Sequence, residues 1–222
     1  MRSAVLFILS GCCLFIFTTC RNTQAPLQHT NNEPLTDLME GNQRFATHHA
    51  THPHSSGERM KSLESGQHPP IAVICCSDSR VPPEIVFDQG LGDMFVVRTA
   101  GNLLGGLEIG SIEYAVEHLG VKEILVMGHR ECGAVKAFIE GGSTPGHIRD
   151  IVDSIRAEQE ISQIPANDKN LLNDCIQANI LHGIHQLKKQ SDMIAEKIRE
   201  GKLQIHGACY DLSKGKVEII NE

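Results

Sequence analysis

The chain has 222 residues, enough for one substantial core once a leader is set aside. Its formal charge of −7 and the absence of any basic stripe argue against nucleic acid or an anionic membrane surface as partner. Hydrophobic residues make up an ordinary 41%, and no repeat of solenoid length is visible, so a single globular unit is expected.

The first segment reads as a leader. Arg2 precedes an apolar run over residues 4–17, interrupted by Gly11 and the Cys12-Cys13 pair, and polar Arg21-Asn22-Thr23-Gln24 follows. A charged start, a short apolar stretch and a polar exit describe an export signal, whereas a spanning helix needs about 20 apolar residues. Residues 1–20 are therefore expected to be a signal peptide or lipoprotein leader, with the protein periplasmic or lipid-anchored at the cell envelope. Leu9-Ser10-Gly11-Cys12 and Phe17-Thr18-Thr19-Cys20 both resemble the bacterial lipobox. The first fits better in residue types, the second in the length of the apolar run. Membrane contact is expected only through such a lipid anchor, and an uncleaved cytoplasmic N-terminus is the alternative.

Residues 21–33 read as a polar tether and 34–222 as one domain. Leu35, Leu38, Met39 and Phe45 at helical spacing predict an amphipathic helix over 34–45. His48, His49, His52 and His54 surround Pro53 in a polar stretch, read as a solvated loop rather than a metal-capturing tract. Ile71-Ala72-Val73-Ile74-Cys75-Cys76 is a continuous apolar run, as expected for a strand buried on both faces. A second strand is expected at 94–98. A helix over 107–119 follows, with Leu107, Ile109, Ile112, Ala115, Val116 and Leu119 on its apolar face and Gly120 after its end. A third buried strand covers 123–128. Helical patterns run over 132–139, 148–161 and 170–199, the last with a break, before two strands at 203–210 and 216–220 around a turn at Ser213-Lys214-Gly215. Apolar strands alternating with helices imply an α/β fold whose mainly parallel central sheet is flanked by helices. The expected strand order is 2-1-3-4 with an added C-terminal edge strand.

Two short motifs follow the first and third strands: Cys76-Ser77-Asp78-Ser79-Arg80 and His129-Arg130-Glu131-Cys132-Gly133. Ligands of open α/β sheets bind beyond the carboxyl ends of strands where the strand order reverses, so neighbouring first and third strands would bring both motifs together. Cys76, His129 and Cys132 then supply three of zinc's four tetrahedral positions, the pattern of a catalytic site with one position left for water or substrate. Cys132 lies near a helix N-terminus, which favours the thiolate zinc requires. Two thiolates cancel the charge of the ion, so activity is expected to rise on the alkaline side of neutrality. Asp78 and Arg80, at i and i+2, can pair. Alone that is a surface salt bridge; beside Cys76 it reads as Arg80 holding Asp78 off the metal to accept a hydrogen bond from its water. Cys75 points to the opposite sheet face from Cys76 and cannot share its metal. Cys75, Cys175 and Cys209 show no disulfide spacing and are expected in the core.

Neither motif is specific alone, but their combination across a β-α-β unit resembles the β-class carbonic anhydrases over nearly the whole mature chain. The match runs through CSDSRVPPE at 76–84, GDMFVVRTAGN at 92–102, IEYAVEHLGV at 112–121, GHRECGAV at 128–135 and HGACYDL at 206–212. The resemblance implies reversible hydration of carbon dioxide to bicarbonate and a proton, with one Zn²⁺ per chain on Cys76, His129 and Cys132. It implies Asp78 and Arg80 as a catalytic dyad, with Asp78 reaching the metal only in a closed form. Gln67, otherwise an ordinary loop residue, matches the family's substrate-binding glutamine, and an amide donor suits an oxygen gaining negative charge. Phe95 and Tyr114, which composition alone would place in the core, match residues lining the carbon dioxide pocket across a homodimer or higher even oligomer. Arg98 and Tyr210 match two residues of an inhibitory bicarbonate pocket, but its Trp position is Val73 here, which favours an open site. The rival readings are a CS2 or COS hydrolase on the same scaffold and a non-enzymatic zinc-binding or redox protein. In the latter, Asp78, Arg80 and Gln67 have no necessary role.

Overall fold

The computed structural model describes residues 33–220; the expected leader at 1–20, Cys12, Cys20 and nearly all of the tether lie outside the described residues. Strands β1 (Ile71–Cys76) and β3 (Glu123–His129) are buried along their whole length, in keeping with the apolar runs at 71–76 and 124–127. They lie side by side and parallel, with Ile71 opposite Glu123 and Cys75 opposite Met127. β2 (Met94–Thr99) pairs with the outer edge of β1, and β4 (Gln204–Asp211) runs parallel to β3 on its other side. β5 (Lys216–Ile220) closes the series antiparallel, so the order is β2-β1-β3-β4-β5, as expected from the sequence.

The alternation of a strand divides β1 between two cores. Ala72, Ile74 and Cys76 face one apolar cluster, while Ile71, Val73 and Cys75 face the other. The first cluster is covered by α4 (Gly106–His118), α5 (Gly133–Glu140), α6 (Ile148–Arg156), α7 (Gln159–Ser162), α8 (Leu171–Gln190) and α9 (Asp192–Arg199). The second is covered by α1 (Pro34–Ala46) and α3 (Pro83–Val86). α3 and the six-residue α2 (Gly57–Ser62) are too short to show a helical period in the sequence.

Buried polar side chains join the layers. Asn42 of α1 donates Nδ2 to Val86 O at 3.0 Å and to Gly215 O at 2.9 Å, and accepts Val217 N at 2.8 Å. Beside it, a Cβ added to Gly41 would lie 1.8 Å from Phe87 O, so only glycine allows this approach of α1. Asp88, almost fully buried, accepts the backbone N–H groups of Thr51 and His52 and the Arg44 guanidinium. His54 Nδ1 meets Asp93 at 2.7 Å. The His-rich segment is thus a loop ordered by two carboxylates rather than a merely solvated one. Ser191 ends α8 and caps α9 by accepting Ile194 N, which accounts for the break expected there.

Glu158, between α6 and α7, is 1% exposed, and among the described residues neither carboxyl oxygen has a hydrogen-bond partner. Burial, with the nearby Glu160, pushes its carboxyl up to about 8 from the ordinary 4.5. Between those values the unfolded chain releases a proton that the folded chain keeps, so this group's stabilising contribution is complete below about 4.5 and is lost as pH rises through about 8. Glu158→Gln removes the titration. From pH 5 to pH 9 the variant is expected to gain roughly 4 kcal/mol on wild type in denaturant unfolding. Equal differences at the two pH values would refute the assignment.

Candidate metal centre

Cys76 and His129 are the last residues of β1 and β3 rather than the first of the loops beyond them. Strand pairing therefore places them directly, without reliance on loop conformation. Cys132 is the residue preceding α5, reached through Glu131 at φ 59, a left-handed conformation uncommon outside glycine. Arg130 N donates to Tyr210 O at 2.9 Å and fixes the start of this link to β4. The result brings one ligand atom each from Cys76, His129 and Cys132 within 4.8 Å of one another, all three residues buried.

The donor set fits a metal ion. His129 Nδ1 lies 2.9 Å from Arg130 O; a carbonyl only accepts, so Nδ1 carries the proton and Nε2 presents a free lone pair. That Nε2 is buried and has no hydrogen-bond partner among the described residues, a cost that a bound cation would remove. The Cys76 thiol is shifted downward, first by the Cys132 thiol donating to it. The backbone N–H groups of Asp78 (3.4 Å) and Gly101 (3.3 Å) add to this, against the opposing effect of burial. Cys132 is shifted upward by Cys76 and by burial, although the amides of Val135 and Ala134 at the start of α5 favour its thiolate. One proton shared between two sulfurs explains both directions, and a divalent cation would replace it.

Asp78 and Arg80 form a two-point pair, Nε to Oδ1 at 2.9 Å and Nη2 to Oδ2 at 2.7 Å, and Arg80 N also donates to Oδ1 at 2.9 Å. The Arg80 guanidinium holds the Asp78 carboxyl well below the usual carboxylate range. Asp78 Oδ2 stands 3.9 Å from His129 Nε2, so an ionised carboxylate borders the open side of the three ligands.

Arg98 has a role that the sequence did not reveal. Its Nε donates to Cys76 O at 3.1 Å and its Nη2 to Asp78 O at 2.9 Å, tying down the backbone that carries both residues. Only its place on β2, next to the end of β1, makes this visible. Val73 is fully buried between Val96 and Leu125, and Tyr210 is 4% exposed. Gln67 is exposed on the loop before β1. Phe95 and Tyr114 meet at a tilted angle with ring centroids 6.4 Å apart, and Tyr114 is 49% exposed, not the core position that composition alone would give it. Leu107, expected on the apolar face of α4, is 85% exposed. Cys75 and Cys175 are buried as expected, whereas Cys209 is only half-buried and lines a cavity of about 290 Å³ with Arg130 and Glu218.

The family profile described as "Carbonic anhydrase" matches residues 71–217. "Carbonic anhydrase 2" of Mycobacterium tuberculosis is 40% identical over 186 residues, covering 82% of this chain and 89% of that protein. Among solved structures, the beta-carbonic anhydrase CafA of Aspergillus fumigatus superposes with a TM-score of 0.66 at 28% identity, covering 84% of this chain and 90% of that one. A tetrameric beta-carbonic anhydrase of Sordaria macrospora does so with a TM-score of 0.66 at 27% identity, covering 86% and 98%.

Proposed function

The chain belongs to the β-class carbonic anhydrase family, and from that premise we propose that it catalyses the reversible hydration of carbon dioxide to bicarbonate and a proton. The observation that carries this reading is the meeting of Cys76, His129 and Cys132 beside a carboxylate that Arg80 keeps ionised. One zinc ion on those three residues would supply Lewis acidity, lowering the pKa of water so that a nucleophile forms near neutral pH. Asp78, ionised, can only accept hydrogen bonds; it therefore holds the attacking water with a lone pair free for the carbon atom. Arg80 keeps Asp78 charged and turned toward the guanidinium, which supports an open site. Gln67 would donate its amide to a substrate oxygen as negative charge develops there. The water's proton leaves to buffer and bicarbonate departs.

Stopped-flow hydration measured from pH 7 to 9 on protein of known zinc content tests the reading. Turnover should rise toward pH 9; a full complement of zinc with no hydration anywhere in that range would sink it.

We further propose a homodimer, or a higher even oligomer, formed around the exposed Tyr114 and Leu107 of α4 near the free edge of β2. Exposed apolar residues beside a strand edge that is unpaired among the described residues support this. Light scattering with Tyr114→Asp, expected to shift the mass toward one chain, provides the check. Export with lipid anchoring remains our proposal for residues 1–20. Labelled palmitate should enter the wild type and disappear with Cys20→Ser or Cys12→Ser, and a wholly cytoplasmic unlabelled product would refute it.

A further inference from the structure

Cys76 receives two backbone donors, and one of them is kept in place by a residue far outside both motifs. Gly101 N donates to Cys76 Sγ at 3.3 Å from the short turn Ala100–Asn102. Gly101 has φ 70 and ψ 20, a left-handed conformation that glycine enters and leaves at little steric cost. The turn by itself therefore does not hold that N–H on the sulfur. The anchor is Asn179 in the middle of α8, 3% exposed, whose Nδ2 donates to Gly101 O at 2.8 Å. The carbonyl and the N–H of Gly101 sit on either side of its two rotatable bonds, so fixing one restricts the other. α8 is itself set against the other ligand strand: a Cβ added to Gly128 would fall 2.7 Å from Ile180, the residue after Asn179. One helix thus packs on the backbone just before His129 and clamps the turn that contacts Cys76.

We propose that Asn179 is a positioning residue for the metal centre, holding the Gly101 carbonyl so that the Gly101 N–H stays on the Cys76 sulfur. The inference rests on the metal-centre reading above. A donor on a thiolate draws electron density from the sulfur and fixes its direction, and such outer hydrogen bonds commonly change metal affinity by about 10- to 100-fold. Asparagine suits the task because its amide offers a donor without a charge. Aspartate at the same place would set an acceptor against an acceptor.

The test uses the full chain loaded with cobalt(II) or zinc, in the variants Asn179→Ala and Asn179→Asp. Leu187→Ala serves as control, since Leu187 is fully buried in the same helix and its aliphatic side chain cannot hydrogen-bond to Gly101. Two readouts are followed: the sulfur-to-cobalt charge-transfer band and the rate of zinc transfer to a chromogenic chelator. Both Asn179 variants should shift the band and release zinc at least about tenfold faster. Leu187→Ala should lower the melting temperature and leave both readouts unchanged. The inference is overturned if an Asn179 variant keeps the wild-type band and releases zinc at an unchanged rate, or if Leu187→Ala moves both readouts as far. If Asn179→Ala does not fold, Asn179→Ser, whose hydroxyl is too short to reach Gly101, carries the same expectations. A wild-type chain that takes up neither ion overturns the metal-centre reading itself, and this inference with it.

Discussion

Replacing His129 with alanine is expected to strip the chain of its zinc and of its hydration activity together. His129 is fully buried, and its Nε2 is one of the buried side-chain atoms without a hydrogen-bond partner among the described residues. Removing the ring leaves two sulfurs, of which only one is readily charged while they share a proton. Two thiolates without the imidazole are a poor tetrahedral set. Zinc should fall from one per chain to a small fraction after dialysis against a weak chelator, and turnover should fall by at least ~10³-fold. Losing the ring also frees the Arg130 carbonyl, so some thermal destabilisation accompanies the change. Metal content by mass spectrometry, with stopped-flow hydration on the same sample, is the measurement. A variant that retains stoichiometric zinc and wild-type turnover would remove His129 from the site.

Asp78→Asn should separate metal binding from chemistry. Asp78 is outside the set of three mutually close ligand atoms, and its oxygens are engaged by Arg80. Zinc content should therefore hold. The amide keeps the size of the side chain but turns one acceptor into a donor, so water beside it is no longer held with a lone pair toward the carbon atom. A loss of ~10²–10³-fold in kcat/KM is expected, within the usual range for a positioned proton acceptor. Because Arg80 lowers the Asp78 carboxyl, Asp78 is already ionised across pH 7 to 9, and the alkaline rise in activity should persist in the variant at reduced height. If zinc were lost along with activity, Asp78 would be a ligand in the working state. Unchanged activity with full zinc would return the Asp78–Arg80 pair to an ordinary salt bridge.

The features legible in the sequence were those written in contiguous residues. β1 and β3 carry unbroken apolar runs because both faces of each are covered, and such runs need no knowledge of what covers them. The two motifs were legible because their chemistry is packed into five residues each. α4 marks the limit of local pattern: its apolar period names a face, but Leu107 on that face stands exposed. Periodicity reports which residues share a side, not whether anything is packed there. Cys209 was assigned to the core by residue type, yet it borders a cavity because β5 and α8 leave space around it.

The sequence by itself determined the sheet's alternation of elements, the three side chains proposed to bind the metal and the identity of the paired carboxylate. All of these depend on residue type and short spacing. Tertiary structure alone decided that Arg98 braces the backbone of Cys76 and Asp78, that Asn179 reaches Gly101, and that Glu158 is buried without a hydrogen-bond partner among the described residues. Each of those is a contact, or a missing contact, between segments far apart in the chain. A side chain's partners across such distances follow from how layers pack, and local spacing carries no record of that.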